Sequence, residues 1–142
     1  MSKTDYQHRV WITRPRPGID RVSSAWLIRR FIDADSTFVF GSDPKTKPQA
    51  VPFDMYQPGG FAHEGENCTF ETLCAYFGVS DKKVRLISQA IHDADLEDEK
   101  FGRTEGITIN QVLTGWAKQG VSDNELLRRG IELIEGLYHA IP

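Results

Sequence analysis

Cysteine is scarce in this chain: Cys68 and Cys74 are the only two, six positions apart. Two thiols close at most one bridge, and so short a loop adds little constraint to a domain of 142 residues. There is no C-x-x-C pair, which excludes a thiolate zinc finger. Both thiols are read as reduced and the compartment as cytoplasmic, with Cys74 as a small core residue inside an apolar stretch. Basic excess is missing too. The 17 Lys/Arg stand against 20 Asp/Glu, a net charge of −3, which argues against a generic polyanion binder. No apolar run approaches the roughly 18–20 residues of a bilayer span. The N-terminal MSKTDYQHRV has no apolar signal core, so neither membrane insertion nor export is expected.

What remains is ordinary folded-protein composition, 39% hydrophobic and 26% charged, in a length that fits one domain. His8–Thr13 mixes β-branched and aromatic residues and predicts a strand, closed by the Pro15 and Pro17 turn. Val22, Trp26, Leu27 and Phe31 fall at helical spacing and predict a helix over Arg21–Ile32. Thr37–Phe40 and Val51–Met55 read as further strands, with a polar loop over Gly41–Ala50 and a turn at Gln57-Pro58-Gly59-Gly60. The second half reads as helical: Phe70–Phe77 capped by Thr69 and stopped by Gly78, then a longer helix from Ser80 or Asp81 to at least Asp95. Ile107–Lys118 is a third, and Ser122 with Glu125 forms a capping box before Leu126–Tyr138. The expected architecture is α+β, a small N-terminal sheet packed with a mainly helical C-terminal half. Residues 1–8 are expected as a flexible N-terminus and 9–142 as the domain. Trp11, Trp26 and Trp116 lie in apolar periodic segments and read as core rather than as stacking platforms.

Charge is uneven. Residues 1–35 hold seven Lys/Arg against four Asp/Glu, whereas 91–105 hold six acids against two bases. Three blocks concentrate chemistry. In Thr13–Arg21, the guanidiniums of Arg14, Arg16 and Arg21, spaced by prolines before a helix, suit a tetrahedral oxyanion. Asp20 would orient one arginine or cap the helix; a solvated basic loop is the plain alternative. His63–Glu71 supplies a histidine, three carboxylates including Glu71, and the Cys68 thiol, without a recognisable metal spacing. On a helix over 84–95, Asp95 falls at the edge of the apolar face, His92 lies beyond it, and Asp93 falls on the far side. A carboxylate at that margin must be paired or bind a metal, so either a His92–Asp95 hydrogen bond or a metal site explains it. His63, His92 and Asp95 are the expected ligands, with Glu71 and Asp93 as further candidates and Asp20 and Cys68 in support. Mixed nitrogen and oxygen donors suit Zn, Mn, Fe or Ni.

With these residues laid out, the chain resembles the chromate-resistance protein domain, the C-terminal domain of ChrB-type proteins. The resemblance rests on TRPRPGIDR (13–21), AWLIRRFID (25–33), PFD (52–54), HEGENCTF (63–70) and AIHDADLEDEKF (90–101), and runs from about residue 9 to 139. It implies a role in chromate or related oxyanion stress, with a small oxyanion such as chromate as ligand. Longer family members carry an N-terminal regulatory region, so nucleic-acid binding is not carried over to this domain alone. Ser24-Ala25 stands where the family often has Cys-Pro, so thiol-based chromate reduction at that place is not carried over either. Two readings follow: a domain holding a divalent metal near an arginine-lined anion pocket, or a non-enzymatic oxyanion sensor acting through a regulatory protein partner. Whether there is turnover, by metal-dependent redox or hydrolytic chemistry, is left open, as is a homo-oligomer.

Overall fold

The computed structural model describes residues 3–43, 47–55 and 60–142. Strand β1 (Val10–Thr13) is the middle of a three-stranded parallel sheet, flanked by β2 (Thr37–Phe40) and the two-residue β3 (Val51–Pro52). β1 meets β2 in register from Val10–Thr37 to Thr13–Phe40, and Trp11 pairs with Val51 of β3. The strand expected over Val51–Met55 stops early. Phe53 makes an isolated bridge to Phe61, and Asp54 takes a left-handed conformation (φ 57°) that turns the chain out of the sheet. Because every strand points the same way, Arg14 and Asp54 both emerge at the carboxyl edge of the sheet. Open parallel sheets characteristically place ligands at that edge.

Helix α1 (Ile19–Leu27) crosses from β1 to β2 and begins two residues before the Arg21 expected from periodicity. Its last stretch is a π-turn (Ile28–Ile32), closed by the Asp33 amide donating to the Ile28 carbonyl at 2.6 Å. The buried Asp33 carboxylate then accepts from the amides of His8 and Arg9 and the Trp11 indole, tying the chain before β1 to the end of α1. Within the stretch expected to be flexible, Lys3–Tyr6 forms a 3-10 turn and Tyr6 packs on Trp11, Phe61 and Phe77.

The helical half follows the sequence pattern closely. Helix α2 (Thr69–Phe77) ends at Gly78 in the left-handed region, and its N-cap is Cys68, one residue before the expected Thr69. Helix α3 (Lys82–Leu96) is capped by Asp81, which accepts from the amides of Lys83 and Val84. Helices α4 (Glu105–Lys118) and α5 (Asp123–Ala140) complete the layer, with Ser122 Oγ capping Glu125. α1 is sandwiched against α5, α2 and α3. Gly130 makes the α5 approach feasible, since a Cβ there would sit 2.3 Å from Val22 Cγ1. Trp11 and Trp26 are fully buried, Phe70 stacks on Trp26, and Trp116 is half-buried, so the tryptophans are core as expected. Each fully buried apolar side chain of this kind contributes on the order of 2–3 kcal/mol relative to exposure. Among the described residues no helix is long and apolar enough to cross a membrane. The architecture is α+β, as the sequence indicates.

Candidate functional site

Four acidic and imidazole side chains from four separate segments converge at the carboxyl edge of the sheet. Asp20 comes from the first turn of α1, Asp54 from the end of β3, His63 from the following loop, and Asp95 from the last turn of α3. His63 Nε2 lies 3.1 Å from Asp20 Oδ2, 3.1 Å from Asp95 Oδ2 and 3.8 Å from Asp54 Oδ1. One ring nitrogen is therefore asked to serve three carboxylates. A single N–H satisfies one of them, and the buried Asp95 Oδ2 is left without a hydrogen bond.

The carboxylates are held firmly from behind. Asp20 accepts from the amides of Thr69 (3.0 Å) and Phe70 (2.9 Å), so it caps α2 from across the molecule rather than its own helix, whose N-cap is Gly18. The Thr69 hydroxyl donates to Asp54 Oδ1 at 2.9 Å, and Arg21 Nε donates to Asp54 Oδ2 at 2.8 Å. Such outer partners fix carboxylate orientation in ligand sites. The electrostatics record the crowding. The hydrogen bond to Asp20, reinforced by the Asp20, Asp95 and Asp54 charges, raises the His63 imidazole to about 8 against burial. Burial, with the Asp20 charge, raises the Asp95 carboxyl to about 6. A proton is held where negative charge is dense.

Of the three arginines expected to form one pocket, two are brought together. Arg14 Nε donates to the Asp54 carbonyl at 3.2 Å and its Nη2 lies 3.8 Å from Asp54 Oδ2, while Arg21 also reaches the Pro15 carbonyl. Arg21 is largely buried; Arg14 is half-exposed. Arg16 departs. Its backbone is left-handed (φ 57°), its amide donates to Asp123, and it lines a different cleft with Thr114 and Lys118.

His92 also goes elsewhere. It is fully buried, with Nδ1 2.6 Å from Glu71 Oε1 and Nε2 2.8 Å from Asp98 Oδ2, and it bonds to neither His63 nor Asp95. Burial alone lowers its basicity, but the bonds to Glu71 and then Asp98 outweigh that and raise it. The helical wheel places Asp93 on the side away from the apolar face. It is nevertheless buried, because the chain after α3 reverses through left-handed Glu97 and folds back over that flank. Asp93 accepts from the amides of Phe101 and Arg103, which uses its carboxylate in holding that reversal. Glu71 is likewise engaged, accepting from the Cys68 amide at 3.0 Å. Burial pushes both thiols up, Cys68 most, so neither is poised as a nucleophile.

Asp54 and Asp98 are the participants that patterning did not single out, and Thr69 is read from the sequence only as a helix cap. Asp54 carries a usable signal, a carboxylate directly after the apolar Val51-Pro52-Phe53 run at a strand end. Among the described residues, the groupings close enough to share a metal ion are Asp20/Asp54/His63 and His92/Asp93/Asp98.

A small parallel sheet whose carboxyl edge carries a histidine–carboxylate cluster flanked by arginines thus defines the domain. The chain belongs to the ChrB C-terminal domain family, whose model matches residues 11–141. It is 36% identical over 137 residues to Protein ChrB of Cupriavidus metallidurans, an alignment covering 95% of this chain and 41% of that protein. The chain therefore spans about two fifths of the length of that curated relative. No solved structure matches it.

Proposed function

We propose that this domain serves chromate resistance by holding a divalent metal ion among Asp20, Asp54 and His63, with Asp95 adding its charge from beside His63, next to arginines that draw in an oxyanion. Membership of the ChrB C-terminal family supports the chromate context. The observation that carries the metal reading is the oversubscribed His63 Nε2, set 3.1 Å from two carboxylates with the buried Asp95 Oδ2 unbonded. Imidazole and carboxylate donors suit Zn, Mn, Fe or Ni, and a bound ion would supply positive charge to an oxyanion. Thr69 and the α2 amides orient the carboxylates, Arg21 anchors Asp54, and half-exposed Arg14 presents its guanidinium to the incoming anion. His63 must give up its proton for Nε2 to become a ligand, so uptake of metal releases a proton.

The test is metal affinity of the apoprotein for Zn, Mn, Fe(II) and Ni, measured by competition titration on wild type, His63→Ala, Asp95→Asn and His92→Gln. Affinity should fall at least about 100-fold in the first two variants and hold within a few-fold in the folded third. Equal affinity in all four, or none in wild type, refutes the metal site. Metal-free protein that still binds chromate, and loses it in Arg14→Gln, supports the sensor reading instead.

A further inference from the structure

A second cationic site lies on a different face, where the start of β2 meets the first turns of α5. A cleft of about 350 Å³ is walled by Arg29, Ser36, Thr37, Asn124 and Arg128, over a floor of Phe38, Leu127 and Ile131. Among the described residues no carboxylate lines it, in a chain that carries a net charge of −3. Arg29 is exposed and makes no ion pair among the described residues. Its guanidinium lies over the Phe38 ring, 5.0 Å from the centroid. Stacking of that kind fixes the plane of the guanidinium while leaving its N–H fork unspent. Arg128, in the same lining, is partly neutralised by Glu125 and Glu132 and so contributes less. Ser36 is 9% exposed, and its Oγ, buried beneath the cleft surface, has no hydrogen-bond partner among the described residues. Such a group in a folded protein calls for an explanation.

Charge and shape together specify the ligand class. The two guanidiniums, the Asn124 amide and the exposed Thr37 hydroxyl match the oxygens of a phosphate or carboxylate. The floor of Phe38, Leu127 and Ile131 would leave an inorganic ion only half-served, because it offers apolar contact that a bare oxyanion cannot use. The volume suits a small organic molecule. We propose that this cleft between β2 and α5 binds a small organic anion, with its oxyanion head between Arg29 and Arg128 and its apolar body on Phe38 and Leu127. This site owes nothing to the metal reading, since none of its residues belongs to the carboxylate cluster.

Phenyl phosphate is the probe, with inorganic phosphate and phenol as its two halves, followed by amide chemical shifts of the full chain. Phenyl phosphate should shift the amides of Ser36, Thr37, Phe38 and Asn124, binding at least about fivefold more tightly than either half. Arg29→Gln should weaken it about tenfold, and Arg128→Gln by less. Both arginines are exposed, so these variants should fold as wild type. The proposal fails if these amides do not move, if inorganic phosphate binds as well as the ester, or if Arg29→Gln leaves the affinity unchanged.

Discussion

Two histidines sit within the same domain and are surrounded by the same kind of group, yet their situations are opposite. His92 is fully buried, and each ring nitrogen has its own carboxylate, Glu71 on one side and Asp98 on the other. Only the imidazolium donates from both nitrogens, so the arrangement is complete as a protonated clamp. His63 presents one nitrogen to Asp20, Asp95 and Asp54 together, and Asp95 Oδ2 goes without a hydrogen bond. A histidine satisfied on both sides suits a structural part, and crowded negative charge suits a cation. The contrast sets the two expected histidine ligands in different surroundings. It also explains why the α3 margin, which patterning treated as one site, divides into two.

The clamp should show the largest effect on stability. His92→Ala removes a fully buried ring, leaves Glu71 facing a cavity, and unties Asp98 from the reversal after α3. A loss of about 3 kcal/mol is expected, roughly 10 °C in Tm for a chain this size. Chemical denaturation checks it. A loss below about 1 kcal/mol would show that the clamp is dispensable and erase the distinction between the two histidines.

That distinction was only half legible in the sequence. The existence of the helices followed from periodicity and capping, which are local, and the Asp81 and Ser122 caps and the Gly78 stop sit where patterning places them, while the starts of α1, α2 and α4 shift by a residue or two. The approach of His63 to Asp95 likewise follows from the cost of leaving a carboxylate at an apolar margin. Glu71 beside His92 is one of the residues the sequence groups with it, but Asp98 did not follow, because it returns only through the left-handed turn at Glu97. Such backbone conformations in a non-glycine residue carry no pattern of their own. The burial of Asp93 on the side away from the apolar face did not follow for the same reason, since a wheel cannot see a loop folding back. The sequence assigns Asp20 to orienting an arginine or capping its own helix, whereas it caps α2 across a long sequence separation. The parallel sheet is what assembles Arg14 and Asp54 at one edge, and strand direction is not a property of any single segment.

A pH series sharpens the comparison, at an expected size of roughly 1–2 kcal/mol. His63 is raised from 6.5 to about 8 by its bond to Asp20, so its contribution is full below about pH 6.5 and fades as pH rises through about 8. Asp95 is raised from 3.8 to about 6 by burial, so the fold favours its protonated form and loses that preference as pH rises through about 6. Both signs agree. Metal-free protein should therefore lose stability between about pH 5 and 8.5, whereas bound metal needs neutral His63 and ionised Asp95 and should stabilise increasingly over that range. Thermal unfolding with chelator and with Mn or Zn at several pH values separates these slopes. Parallel slopes in the two series would mean that the ion does not compete with the His63 proton.

The smallest effect has the most diagnostic sign. Asp95→Asn keeps the shape of the side chain but removes one of the carboxylate charges crowded around His63. A structural ion pair would be weakened by that change, as Asp98→Asn should weaken the His92 clamp. In the oversubscribed cluster the change also removes repulsion from Asp20 and Asp54 and the cost of burying an ionised group. Metal-free Asp95→Asn should therefore be more stable than wild type by about 1 kcal/mol at pH 7.5. At pH 5 the gain should vanish, because wild-type Asp95 then already carries a proton. The His63 imidazole should titrate lower in the variant, since the Asp95 charge is one of the causes raising it. Denaturant unfolding at the two pH values and ring-proton titration of His63 measure both effects. A variant less stable than wild type at pH 7.5 would make Asp95 an ordinary partner of His63, and the surplus charge on which the metal reading depends would be gone.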